Sequence, residues 1–268
     1  MAEEFSPAVR LLSDQMSIRV EVREKFKAEF PELTDAHQLA LSALAAVITR
    51  HVAKKIEAAS PDVEGQIALI AQFLTGVDIC ESAIAEGLYS QGAALLKQEL
   101  ETVAAIEEYR EGRRADGKTP RIGIGVTQGH GPVYGRLNEI SHVSRHEVAK
   151  GLVTGQIRDL VGASIVPIFI AELAAFLYSQ HVLYIGLVVQ HADRLFTAIY
   201  GAGLNNEERE QVSLAQFLLL KKGYIEIPAD ALGPGPDLVR SIIAERDQPE
   251  YEAASARPAT PKRPGSGS

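Results

Sequence analysis

Along most of the chain, apolar positions recur at steps of three and four residues, the period of a helix with one buried face. Residues 6–30 carry this pattern, with Pro7 near a first turn and Pro31 closing the segment. From Thr34 to Ala59 it is clearest: Thr34 or Asp35 can cap, and Leu39, Leu41, Leu44, Val47, Ile48, Val52 and Ile56 form the stripe. Ser60-Pro61-Asp62 ends that helix and starts the next, which runs to Glu86 through Ile67, Ile70, Phe73, Leu74, Val77 and Ile84. Gly87 is a joint, and Leu88–Arg113 forms a third strong helix. Residues 115–132 hold so many Gly and Pro breakers that they read as a loop, a hinge or lid. A helix from Pro132 to Lys150 follows, then two short strands or an extended connection between Leu152 and Val166. Pro167 opens a long helix to Tyr200, and Asn205 or Asn206 caps another to Leu220. A brief strand at 223–228, a short helix at 236–246 and a flexible tail at 248–268 complete the pattern. The expected fold is all-α: a bundle of about five to seven helices with minor β structure near 152–166. The expected organisation is an N-terminal helix at 1–33, a bundle domain at 34–247 and a tail at 248–268.

Composition changes little in this picture, but it narrows function. Hydrophobic residues make up 46% and charged residues 23% of 268, an ordinary globular balance. A formal charge of −8 argues against a broad DNA-binding surface. The single cysteine, Cys80, excludes an internal disulfide and a Cys-rich zinc module. The opening residues lack an apolar signal core, so a cytoplasmic protein is expected. Ala163–Val189 is apolar, yet Glu172, Gln180 and His181 interrupt it, and a central carboxylate costs roughly 2.5–3.5 kcal/mol in a membrane. A core helix is the better reading, and no membrane partner is expected. Glu172 on such a helix would need a partner, most simply an ion pair.

The densest polar chemistry lies between Tyr134 and His146. On one continuous helix Asn138, His142 and His146 fall at i, i+4 and i+8, with Glu139 and Arg145 three residues either side of His142. Glu139, His142 and His146 are metal-ligand types suited to zinc or iron, but a di-iron bundle needs further carboxylates and a second Glu-x-x-His. The alternative is a charged face with His142 hydrogen-bonded structurally, and no cofactor is expected. The glycines at 123, 125 and 129 lack the G-x-G-x-x-G spacing, and no Lys-Ser/Thr follows, so nucleotide binding is not indicated.

Two pieces together carry a resemblance. Ala94-Leu95-Leu96-Lys97-Gln98-Glu99-Leu100-Glu101 resembles the basic-x-x-x-Glu helix of a large group of bacterial helical proteins. Tyr134, Leu137 and His142 resemble the second signature helix of that group. These proteins look like distant relatives of the HEPN class, which are helical bundles and often dimers. Many active members are metal-independent ribonucleases with an Arg-x4–6-His motif, and here Arg136 and His142 have five residues between them. The match spans about residues 60–200. It departs from the nuclease pattern at Leu137, where a polar residue usually follows the Arg, and this favours an inactive or ligand-binding relative.

The resemblance implies a binding or interaction module, in stress or defence, with a second copy, another protein or RNA as partner. Lys97, Glu101, Tyr134, Arg145 and Glu172 are then candidate binding residues. The alternative is a ribonuclease in which His142 moves the proton, Arg136 holds phosphate and Asn138 assists. A six-residue step on a helix turns through about 240°, so a second copy across a symmetric interface would complete such a site. A metal-dependent enzyme using Glu139, His142 and His146 is the third reading.

Overall fold

The computed structural model of the protein describes residues 6–57, 59–142, 145–157 and 160–225. Eight α-helices occur among them, with one two-stranded sheet, so the chain is all-α. The helix count exceeds the expected five to seven because the segment at 132–150 is two helices rather than one. The chain divides into two units, residues 1–218 and 219–268. In the second, the end of the last helix is followed by a turn in which Tyr224 N donates to Leu219 O at 3.0 Å. The strand expected at 223–228 lies largely outside the described residues, and the helix at 236–246 and the tail at 248–268 lie wholly outside them.

Local chemistry sets most boundaries in the first unit. Helix α1 (Pro7–Glu29) starts at Ser6, whose hydroxyl accepts from Val9 N, and Pro31 opens α2 (Pro31–His51). Helix α3 (Pro61–Ala85) is capped by Ser60, with Pro61 in the first turn where it lacks no needed donor. Gly87, at φ +81, makes the joint to α4 (Tyr89–Arg110). After α5 (Gly131–Ser141) and α6 (His146–Val153), β1 (Thr154–Ile157) pairs antiparallel with β2 (Leu160–Ala163), Thr154 opposite Ala163. The long α7 (Ala171–Tyr200) ends at Gly201 in the left-handed region, as a helix stop does. Asn205 and Glu208 form a reciprocal cap for α8 (Asn206–Lys221): Glu208 N donates to Asn205 Oδ1 at 2.9 Å, and Asn205 N to Glu208 Oε2 at 2.8 Å.

Several boundaries differ from the sequence expectation. Helix α2 starts at Pro31, not at a Thr34 or Asp35 cap, and Thr34 lies inside it with its hydroxyl donating to Phe30 O at 3.3 Å. Helix α4 ends at Arg110 rather than Arg113. Helix α2 stops at His51 rather than Ala59, where the imidazole packs against Phe196 at 4.5 Å and Tyr200 at 4.9 Å and Ala53 turns to φ +64. Helix α7 starts at Ala171 rather than Pro167, because Ile170 N donates to the Tyr89 hydroxyl at 2.9 Å and holds the preceding residues extended. Helix α5 stops at Ser141, whose hydroxyl donates back to Asn138 O at 3.3 Å, and His142 is extended at φ −98, ψ 134.

The core sits between α2, α3, α4 and α7. Helices α3 and α4 run antiparallel and so close that Gly65 faces the Tyr109 ring and Gly92 faces Ile84. Helices α2 and α4 both run parallel to α7: His37 meets His181 and His51 meets Phe196, while Glu99 meets His181 and Glu107 meets His191. By length and composition α3 and α7 could each cross a membrane, but 67% of the apolar window of α7 is already buried by its neighbours, as for a core helix.

Candidate functional site

The two pieces that carry the resemblance meet in space. On α4, Lys97 and Glu101 lie one turn apart with their charged ends 4.0 Å from each other. Tyr134 on α5 donates its hydroxyl to Glu101 Oε1 at 2.7 Å, and the Lys97 ammonium sits 5.2 Å over the centre of the same ring. Burial, then the Glu101 carboxylate, push the Tyr134 phenol up to about 12. All three side chains are half-buried, and the neighbouring Leu137 is fully buried and anchors α5. One residue before it, Arg136 is exposed, its guanidinium 4.1 Å from the Phe176 ring centre. Asn138 keeps its Oδ1 buried without a hydrogen-bond partner among the described residues.

The other sequence candidates are not assembled in the way a continuous helix implies. The break after Ser141 removes the common face of Asn138, His142 and His146, because His146 opens a separate helix. Glu139 is instead held by Arg145 at 3.0 Å, on the surface. His142, Arg145 and His146 are all exposed. His142 borders a cleft of about 540 Å³ that Gln15, Arg19, Ser90 and Ile165 also line, whereas Arg136 does not border it. Glu172 is exposed in the first turn of α7, so the expected buried ion pair is absent among the described residues. The Gly-rich loop is tied to α4: Arg121 N donates to Glu108 Oε1 at 2.9 Å, and Gly125 packs against Glu107. Its buried Thr127 accepts from Gly123 N at 3.1 Å and donates to Ile124 O at 2.9 Å.

Polar side chains in the core are what the sequence reading missed. His181 on α7 is fully buried and its Nδ1 lies 2.9 Å from Glu99 Oε2 on α4, with Cys80 of α3 beside them. Burial, then the Glu99 carboxylate, push the Cys80 thiol far up. The His37 ring stacks on His181 at 5.2 Å, and burial, then the His181 and Arg23 charges, lower its pKa to about 3. From there the polar set continues outward through Tyr178, which donates to Glu81 at 3.3 Å, to Arg23, which binds Glu81, Ser82 and Glu86. Two turns along α4, Glu107 pairs with Arg110 at 2.7 Å and faces His191, whose two ring nitrogens have no hydrogen-bond partner among the described residues. The signal available in the sequence was Glu99 and Glu107 inside an otherwise apolar stripe, and His181 and His191 inside the most apolar helix.

No protein-family model, curated protein or solved structure matches this chain.

Proposed function

We propose that this chain is a HEPN-like helical bundle acting as a binding module, with the face where α4 meets α5 as its contact surface and a second copy as its first partner. One observation carries the reading: the Tyr134 hydroxyl on Glu101 at 2.7 Å, under the Lys97 ammonium, joins both resemblance-bearing helices in one polar face. Two positions along α5, turned toward α7 rather than α4, Arg136 presents an exposed guanidinium over Phe176, a planar group suited to a carboxylate or an aromatic ring across an interface. The test is sedimentation of the full chain over a range of concentrations. A dimer is expected, weakened by Arg136→Glu with helical content kept. A monomer at every concentration, or a dimer indifferent to Arg136→Glu, overturns the reading.

The ribonuclease alternative has one observation in its favour, that Arg136 and His142 are both exposed and open to an RNA backbone. Against it stand Leu137 and the placement of His142 in a cleft that Arg136 does not border. RNA incubated with the protein and chelator should stay intact. Cleavage that His142→Ala abolishes, at unchanged fold, would establish the alternative, since proton transfer contributes about 10²–10⁴ in rate.

A further inference from the structure

We infer that Cys80, Glu99 and His181 form a binding site for a divalent zinc-class metal ion in the core, where α3, α4 and α7 meet. The three residues come from three separate helices, and each offers a ligand atom within 4.8 Å of the others. A thiolate, a carboxylate and an imidazole are the donor types of zinc sites. Tetrahedral zinc with bonds of about 2.0–2.3 Å spaces its donors roughly 3.3–3.8 Å apart, so the widest separation closes by about 1–1.5 Å and the Glu99–His181 pair, at 2.9 Å, opens slightly as side-chain rotation assembles the shell. A thiolate and a carboxylate together cancel a divalent charge, which suits a site shut off from water. Binding releases the thiol proton to solvent.

Unpaired atoms at the same place are the second observation. All three residues are at least nine-tenths buried, yet His181 Nε2 finds no hydrogen-bond partner among the described residues, and Glu99 is met only by the Cys80 thiol and by His181 Nδ1, the cluster's own members. The hydroxyl of Tyr184, fully buried beside Glu99 and Cys80, has no partner among them either. Buried polar atoms left in this state are rare, and each is costly to a core that gains nothing from it. A cation at the centre of the cluster takes Cys80 Sγ, one Glu99 oxygen and one His181 nitrogen, and leaves the second ring nitrogen and the Tyr184 hydroxyl to other partners. Stacking of His37 on His181 at 5.2 Å holds the imidazole plane, as supporting residues do around metal-binding histidines.

Access comes from a cleft of about 50 Å³ between α3 and α4 that reaches both Cys80 and Glu99, with the exposed Gln72 and Gln98 at its rim. It has room for a water molecule as fourth ligand. The site shares no residue with the α4–α5 face and stands whether or not that face binds a partner.

The test uses the full chain, stripped with chelator and titrated with zinc, and with cobalt as a spectroscopic probe. One equivalent per chain is expected, with a rise in melting temperature and a cobalt–thiolate charge-transfer band. Because Cys80 is the only cysteine of the 268 residues, that band in the wild-type protein can arise from no other thiol, so the result does not hinge on a variant folding. Cys80→Ala should lose the band and the one-equivalent zinc binding while keeping helical content, and His146→Ala, on the surface, should change neither. Absence of stoichiometric zinc binding by the wild-type chain, or cobalt binding without a thiolate band, overturns the site and leaves the three residues as a hydrogen-bonded core cluster.

Discussion

Glu172 and Glu99 are both carboxylates on long core helices, and they end in opposite environments. Glu172 stands exposed in the first turn of α7, near the positive end of the helix dipole. Its replacement by Ala should cost no more than about 0.3–1 kcal/mol in urea unfolding, the worth of one such dipole contact. A loss of about 3 kcal/mol or more would instead mean that it pairs in a buried site. Glu99 lies one helix over, 6% exposed against His181, where the same group must have a partner. Tyr134→Phe offers a second check at this scale. Losing one hydrogen bond to a half-buried carboxylate should lower stability by about 0.5–1.5 kcal/mol, and a neutral result would show that Tyr134 and Glu101 do not hold each other in solution.

Among the elements, the α3–α4 pair is the tightest joint, and glycine makes it so. A Cβ at Gly92 would lie 2.8 Å from Cγ1 of Ile84, which is itself fully buried and cannot move to solvent. Gly92→Val gains a few tenths of a kcal/mol in helix propensity but adds three carbons to a filled contact. Overpacking should win, with a net loss of about 1–3 kcal/mol measured by thermal or urea unfolding. An unchanged or raised stability would mean that α3 and α4 can separate at no cost. The helices α5 and α6 illustrate the reverse case. Their sequence has a helical period throughout, yet the first helix ends at Ser141, His142 is extended, and His142 and His146 lie on separate elements.

For the whole molecule, the buried histidines set the acid limit of stability. Burial lowers His191 to about 4, only partly offset by Glu107, with Arg194 and Arg110 lowering it further. An unfolded histidine titrates near 6.5, so between the two values protons bind the unfolded chain and not the folded one. Stability from this ring is complete above pH 6.5 and is lost as pH falls toward 4, by about 3 kcal/mol. Glu107, held below the ordinary carboxylate range by its hydrogen bond from Arg110, acts in the same direction at lower pH. His191→Leu should flatten the loss between pH 6.5 and 4 in a urea-unfolding series, and an unchanged acid slope would show that the ring is already protonated in the folded state.

The all-α class, the stops at Pro31, Gly87 and Gly201, the helix start at Ser60-Pro61, one of the two caps offered at Asn205 or Asn206, and minor β structure between 152 and 166 were legible in the residues themselves. They rest on contacts within a few positions, where the cap, the glycine conformation and the proline ring act on adjacent backbone. Ser60-Pro61 as the stop of α2 was not legible, since that helix ends at His51. The meeting of Lys97 and Glu101 with Tyr134 was not legible: the sequence named all three as candidates but set none against another, since 33 residues separate Glu101 from Tyr134. The core cluster was not legible at all. His181 and Glu99 are 82 positions apart, and no periodicity along α4 or α7 tells which stripe of one faces which stripe of the other. That depends on the parallel packing of α2 and α4 against α7, which settles which polar residues are buried and which buried residues share a site.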